Sequence, residues 1–396
     1  MKVGIFTDTY YPQVSGVATS IKTLKKQLER QGHTVYIFTT TDPNVDKNVY
    51  ERNIFRFTSI PFISFTERRI AVRGLFHAYQ VAKKLQLDIV HTQTEFSMGL
   101  IGKFVAHNLH IPCVHTYHTM YEDYLHYVAN GKLLRPVHVK QMSKVFCAHM
   151  AGIVAPSERV LTTLRGYGVT EPITVIPTGV DLERYQEDGT IARQRLRQQY
   201  GLAPDTPVIL TLSRLALEKH IDRLIAALPR IKAAVPAVKL MVCGDGPARE
   251  ELEAQVAALG VQRDVIFTGE IRHAAVADYY HAADLFVSTS ESESQGLTYI
   301  EALAAGLQVI TTHSPYTDQL LDNPALGVPV ADQDELVAAV RRYLTGSAPQ
   351  MTPAVRTPKL AMISADHFGE QIVAFYRQAL AQPVVAPVRS RHNANS

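Results

Sequence analysis

The sequence predicts an α/β protein with two parallel-sheet domains, and three observations carry that expectation. Short β-rich runs alternate with longer amphipathic stretches, the rhythm of βαβ units. The chain has 396 residues, 46% hydrophobic and 19% charged, enough for two sizeable cores. The rhythm pauses at Ile176-Pro177-Thr178-Gly179-Val180-Asp181 and then restarts.

The first series holds the strand-like runs VGIFT, TVYIFTT, IFRFTS, DIVHT, PCVHTY, GIVAP and ITVIP. Between the first two, Ile21, Leu24 and Leu28 recur at spacings of three and four with charges between them. Gly32 follows, so residues 17–31 predict a helix that packs those three side chains on the sheet. The pause places a hinge near residue 179, dividing a domain 1–178 from a domain 179–364. A Gln/Arg-rich helical stretch then leads to a strand at 207–213, followed by VKLMVCG, VIFTG, DLFVSTS, LQVITT and GVPVA. Residues 346–358, with Pro, Thr and Ser, predict a loop. Residues 365–380 predict a terminal helix free to pack back onto the first domain, and residues 383–396 read as a disordered tail.

Cys113, Cys147 and Cys243 are odd in number and lack C-x-x-C spacing, which argues against a disulfide framework or a cysteine zinc site and fits a reducing cytosol. The opening MKVGIFTDTY is broken by Asp8 and reads as a first strand, not a signal peptide; no apolar run reaches the length of a membrane span. Net charge is +3 but unevenly shared. Residues 1–178 hold 20 Lys+Arg and 12 Asp+Glu, net +8, and the remainder holds 20 and 25, net −5. A basic half suits nucleic acid, acidic lipid or an anionic substrate, or is a set of solvated helix faces; charge alone does not choose.

Three segments carry candidate chemistry. The loop from Thr7 through Ser15-Gly16-Val17 joins a strand to a helix, where exposed N–H groups favour an anion and glycine permits close approach; many such turns bind nothing. Arg214 and Lys219 follow a strand, where open α/β sheets place ligands; they clamp a diphosphate or are surface cations at a helix start. Glu293 and Glu301 flank Ser294-Gln295-Gly296-Leu297-Thr298-Tyr299-Ile300, with Glu293 expected in the helix's N-terminal turn and Glu301 two turns down near the same face. They hold parts of one ligand, or are a helix cap and a surface charge.

With these residues in place the chain resembles the family 4 retaining glycosyltransferases of GT-B fold, whose hallmark E-x7-E matches Glu293 and Glu301. Supporting motifs occur in order: Ser15-Gly16-Val17, R-L-x-x-E-K as Arg214 to Lys219, Cys243-Gly244-Asp245-Gly246-Pro247, Phe267-Thr268-Gly269, and Glu301-Ala302-Leu303-Ala304-Ala305-Gly306. The likeness runs to about residue 380. It implies two Rossmann-like domains facing a central cleft, the first binding the acceptor and the second the nucleotide sugar. It implies that Arg214 and Lys219 hold the donor diphosphate, Glu301 the ribose hydroxyls and Glu293 hydroxyls of the sugar. Gly16 then approaches the distal phosphate, the N–H groups of Gln295, Gly296 and Leu297 line phosphate and sugar, and Ile271 offers main-chain bonds to the base. His118, in His115-Thr116-Tyr117-His118-Thr119, matches the histidine placed beside the donor sugar. A single glycine in the first loop, His220, Gln308 and Gln295 depart from the usual pattern without removing a needed charge. No D-x-D metal site is evident, so metal-independent transfer without a cofactor is implied, with Arg214 and Lys219 stabilising the leaving diphosphate.

For the acceptor, residues 52–74 interleave Arg52, Arg56, Arg68, Arg69 and Arg73 with Phe62, Phe65 and isoleucines. This suits an anionic membrane surface, or is a strand plus a solvated loop. A second basic stretch spans residues 132–144. Within the family the first loop and the Glu293 segment look most like bacterial diacylglycerol glucosyltransferases. That resemblance implies UDP-glucose as donor, a lipid acceptor, attachment to the inner face of the cell membrane from the cytoplasm, and no nucleic-acid partner. A phospholipid or soluble acceptor, or a UDP-sugar epimerase of the same fold, remains open. A nicotinamide dehydrogenase lacks its G-x-G-x-x-G here.

Overall fold

A computed structural model describes residues 1–13, 15–45, 51–62, 65–122 and 135–382; the side chains of 62 and 65–68 lie outside the described residues. The predicted disordered tail, 383–396, also lies outside them.

The β-rich runs of the first half form β1 (Lys2–Thr7), β2 (Thr34–Thr40), β3 (Ile54–Phe57), a hairpin of β4 (Ser59–Phe62) and β5 (Phe65–Ala71), β6 (Ile89–Thr92), β7 (Cys113–Thr116), β8 (Gly152–Ala155) and β9 (Ile173–Val175). The second half forms β10 (Val208–Leu212), β11 (Lys239–Cys243), β12 (Val265–Gly269), β13 (Leu285–Ser288), β14 (Gln308–Thr312) and β15 (Gly327–Val330). Among the described residues one sheet has seven strands in the order β3-β2-β1-β6-β7-β8-β9. Another has six in the order β12-β11-β10-β13-β14-β15. Every ladder in both is parallel. Both orders are that of the doubly wound Rossmann sheet, in which the strand after the third returns to pair with the first.

Alternate residues of each strand face opposite helix layers, so both faces are apolar. Helix Gly16–Arg30 buries Ile21, Leu24 and Leu28 against Val3, Ile5, Val35 and Ile37, and its N-cap Ser15 Oγ accepts from the Ala18 N–H at 3.2 Å. Full burial of one such side chain is worth about 1.5–3 kcal/mol. The opposite face packs Phe6, Phe38 and Val90 on Ala78, Ala82 and Val105. The second sheet has the same two-faced arrangement.

The chain passes between the sheets twice, at adjacent points. Val180 N–H donates to Ile363 O at 2.9 Å and Ala365 N–H to Val180 O at 2.8 Å. Gly179 has no room for a side chain, since a Cβ would stand 2.1 Å from Ser364 O. Helix Ala365–Ala381 then packs along helix Gly16–Arg30 and buries Phe368, Ile372, Val373 and Tyr376 in the first core. Its Tyr376 hydroxyl pairs with His91 Nδ1 at 2.6 Å.

Two elements differ from expectation. Residues 346–358, expected as loop, contain the start of helix Pro353–Met362: Thr352 is the N-cap, Pro353 occupies the first position, where its missing N–H costs nothing, and Leu360 anchors it to the core. Residues 59–62 and 65–71 pair antiparallel outside the main sheet. Among the described residues no helix is long and apolar enough to cross a membrane.

Candidate active site

In a doubly wound sheet ligands meet the carboxyl ends of the strands beside the point where the order reverses. Here those points lie between β1 and β6, and between β10 and β13. The segments that leave these strands hold the loop of Asp8 to Gly16, Gln93 to Glu95, Arg214 to Lys219, and Glu291 to Gln295. The two points face each other. A Cβ on Gly16 would touch Leu297 Cδ1 at 3.8 Å, and the Tyr11 ring meets His273 edge-on at 6.0 Å.

On the second sheet, Lys219 ends a 3-10 turn after β10, and its Nζ donates to Glu293 Oε1 at 2.6 Å. The pair is largely covered, with 13% and 25% of the side chains exposed. Burial alone would raise the Glu293 carboxyl, but the Lys219 ammonium and hydrogen bonds from Lys219 and Ser290 hold it below its ordinary value. Two residues expected to touch different parts of one ligand are thus joined to each other. Arg214 is exposed at the end of β10. The Cys243-Gly244-Asp245-Gly246-Pro247 loop supports that strand end: Leu215 N–H donates to Asp245 O and Ala248 N–H to Leu215 O, both at 3.0 Å.

Glu293 does not lie in the N-terminal turn of a helix. It sits in the connection three residues ahead of Gly296, the N-cap of helix Leu297–Ala304. Gly296 has φ +71°, and a Cβ there would stand 2.6 Å from the Tyr299 ring, so both backbone and space demand glycine. The Gln295 side chain turns away from the helix start and brackets Thr178 at the interdomain crossing, accepting from its N–H at 2.8 Å and donating to its carbonyl at 2.7 Å. Glu301 is buried within the helix and accepts from Tyr280 Oη at 2.8 Å. Burial raises its carboxyl above the ordinary value, partly offset by the Tyr280 and Tyr185 hydroxyls. Ile271, just past β12, is half-buried against the second core, two residues from His273, which pairs with Arg184 Nη1 at 3.0 Å.

On the first sheet a buried polar cluster lines the strand ends. Asp8, after β1, accepts from the Ser97 and Thr94 hydroxyls and from the Met98 N–H that opens helix Ser97–Leu109. His118 follows β7, and its Nε2 pairs with Gln93 Oε1 at 2.7 Å. Burial and the neighbouring His115 push the His118 imidazole down to about 3, so it is neutral near pH 7. Gln93 is itself buried, and its Nε2 has no hydrogen-bond partner among the described residues. Glu95 pairs with His115 Nε2 at 3.1 Å and accepts from the Tyr121 hydroxyl. Sequence reasoning missed Gln93, Glu95 and Asp8. The available signal was a polar run, Gln93-Thr94-Glu95, directly after a strand at a switch point.

Of the five arginines of residues 52–74, Arg56 and Arg69 are engaged within the fold. Arg56 forks onto Glu51 at 2.6 and 2.7 Å and donates to the Thr40 and Tyr11 carbonyls, so it braces the first loop. Arg69 donates to the Ser59 hydroxyl at 2.9 Å and carbonyl at 2.8 Å, closing the hairpin. Arg52 precedes β3 at the amino ends of the strands, beside Glu29, His33 and Thr34. Arg73 is exposed, while Phe62, Phe65 and Arg68 have side chains outside the described residues. Among the described residues no cluster of three or more His, Cys, Asp or Glu is disposed to hold a metal ion.

Two sheets of the same Rossmann order facing each other, with a cation–carboxylate pair at the second switch point, have the GT-B architecture of nucleotide-sugar enzymes. The Glycosyltransferase Family 4 model matches residues 14–184 and the Glycosyl transferases group 1 model residues 192–355. The chain belongs to the family 4 glycosyltransferases. It is 44% identical over 383 residues to the alpha-monoglucosyldiacylglycerol synthase of Streptococcus pneumoniae, covering 96% of this chain and 86% of the relative. It is 33% identical over 350 residues to the synthase of that name from Acholeplasma laidlawii, covering 85% and 86%. Among solved structures it superposes on Anabaena Alr3699/HepE in complex with UDP and glucose with a TM-score of 0.77 at 19% identity, over 95% of this chain and 99% of that one.

Proposed function

We propose that this chain is a retaining, metal-independent hexosyltransferase that moves glucose from UDP-glucose to diacylglycerol. The observation that carries the reading is the covered Lys219–Glu293 pair at the second switch point, in a chain 44% identical to a monoglucosyldiacylglycerol synthase. In this reading the domain after residue 179 takes the donor and the domain before it the acceptor. Lys219 and Arg214 neutralise the diphosphate as its bond to the anomeric carbon breaks. The N–H groups of Gln295, Gly296 and Leu297 at a helix start receive phosphate and sugar oxygens. Glu293, kept ionised by Lys219, accepts from sugar hydroxyls, Glu301 faces the ribose, and the backbone of Ile271 the base. Gly16 lets the first loop close on the distal phosphate, and neutral His118 stands beside the sugar. The acceptor oxygen attacks from the side the diphosphate leaves, and its proton passes to a phosphate oxygen of the departing UDP.

A diacylglycerol must be reached at a bilayer surface. Helix Pro136–Cys147 exposes Val137 and Val145, 60% and 59% accessible, with Lys140 and Lys144 interleaved. That pattern, with Arg73, replaces the five-arginine surface as the contact with anionic lipid on the inner face of the membrane.

The test is transfer from UDP-glucose to diacylglycerol in phosphatidylglycerol vesicles with a chelator present, and NMR of the product's anomeric proton. An α-linked monoglucosyl lipid is expected. A β-linked product, transfer abolished by the chelator, or glucose appearing only on another lipid would each overturn the corresponding part.

A further inference from the structure

We propose that Arg159 is a positioning residue for the transferred sugar, holding the main chain of the Glu293 segment from the opposite domain; this rests on reading Glu293 as the sugar contact. Arg159 lies in the first turn of helix Glu158–Gly166, directly after β8 and Ser157. Its Nη1 donates to the carbonyls of Glu291 at 2.8 Å and Glu293 at 2.9 Å. Ser157 Oγ donates to the next carbonyl, Ser294 O. Gln295 then closes on Thr178 with two hydrogen bonds. Four positions of the donor segment, Glu291, Glu293, Ser294 and Gln295, are thus tied to residues 157–178.

The donor segment belongs by sequence to the second sheet, yet its carbonyls at 291, 293 and 294 are satisfied from the first. One guanidinium nitrogen shared by two carbonyls fixes the turn between them, and that turn sets where the Glu293 carboxylate meets Lys219 and a sugar. The guanidinium also adds positive charge beside Glu293, favouring its ionised form. Small displacements of a positioning group are costly in catalysis, so a segment gripped from across the cleft makes sugar handling depend on how the two domains are set. The ribose and base contacts assigned to Glu301 and Ile271 pack against the second core and are not held by Arg159.

The experiment measures affinities for UDP and for UDP-glucose by calorimetry in wild type, Arg159→Ala, Arg159→Lys, Ser157→Ala and Glu293→Gln, with thermal unfolding of each. Arg159→Ala is expected to weaken UDP-glucose about three- to tenfold more than it weakens UDP, the range that a lost hydrogen bond of ordinary strength spans. Arg159→Lys should restore part of that loss, and Ser157→Ala should shift the ratio the same way by less. If Glu293→Gln shifts the ratio but Arg159→Ala and Ser157→Ala do not, or weaken both ligands alike, the positioning role is overturned while the sugar contact stands. If Glu293→Gln itself leaves the ratio unchanged, the sugar-contact reading falls and this inference with it.

Discussion

The two switch points are built alike in backbone and oppositely in polar chemistry. On the first sheet the polar groups are hydrogen-bonded inside the protein, largely out of solvent: Asp8 to Ser97, Thr94 and Met98, Glu95 to His115, and His118 to Gln93. On the second, Arg214 is exposed and Lys219 meets Glu293 at the rim of the cleft. The difference separates two ways of preparing a reaction site. One buries hydrogen-bonded groups that fix orientation, and the other, on the proposed reading, places charges to answer charge that develops on a ligand.

The comparison breaks first at Lys219. Lys219→Ala removes a transition-state cation and leaves Glu293 buried beside no ammonium, so turnover should fall about a hundredfold, or ~2.7 kcal/mol. Arg214→Ala, at an exposed position, should lose less, though still about tenfold. Steady-state rates decide, and equal rates in wild type and Lys219→Ala would remove the diphosphate assignment. Next comes Gly296→Ala, which forces a Cβ into the Tyr299 ring at positive φ. It should cost about 1–3 kcal/mol of stability, read as a lower Tm, with weaker sugar handling.

The first switch point is sharpened by pH. His118, held near 3, stays neutral, so wild-type turnover should show no His118 step between about pH 5 and 8. Gln93→Glu sets a carboxylate against Nε2 and favours imidazolium, so activity should fall as pH drops through the raised value; an unchanged profile would count against this contact tuning the ring. The same burial links His118 to stability. The unfolded ring takes up a proton below 6.5 and the folded ring only near 3, so stability is lost as pH falls across that window. The smallest effect concerns the surface. Lys140→Gln with Lys144→Gln should weaken binding to anionic vesicles by about 1 kcal/mol per charge, screened by salt, whereas Arg56→Gln should lower Tm and leave co-sedimentation unchanged.

The second domain was the more legible of the two. Its strands follow the apolar runs, and the Arg214, Lys219, Glu293 and Glu301 positions fall in segments that follow strands or open a helix, where motif spacing is local. Arg159 and the Gln295 side chain were not legible, because each acts across more than a hundred residues of chain on main-chain groups that carry no residue signature. Arg56 misled for a related reason. In sequence it belongs to a basic, aromatic stretch, and only the fold shows Glu51 and two carbonyls waiting for its guanidinium. Pro353 suggested a loop because a proline says where a helix cannot continue, while at the first helical position it says where one begins.

The return of helix Ala365–Ala381 to the first core makes that domain discontinuous in the chain. During synthesis residues 1–178 emerge early, yet the apolar face awaiting Phe368, Ile372 and Tyr376 stays open until the last turn leaves the ribosome. The domain made second can close its own core first. The domain made first matures last, and a ribosome stalled before residue 365 releases a product whose second core can close while its first stays open.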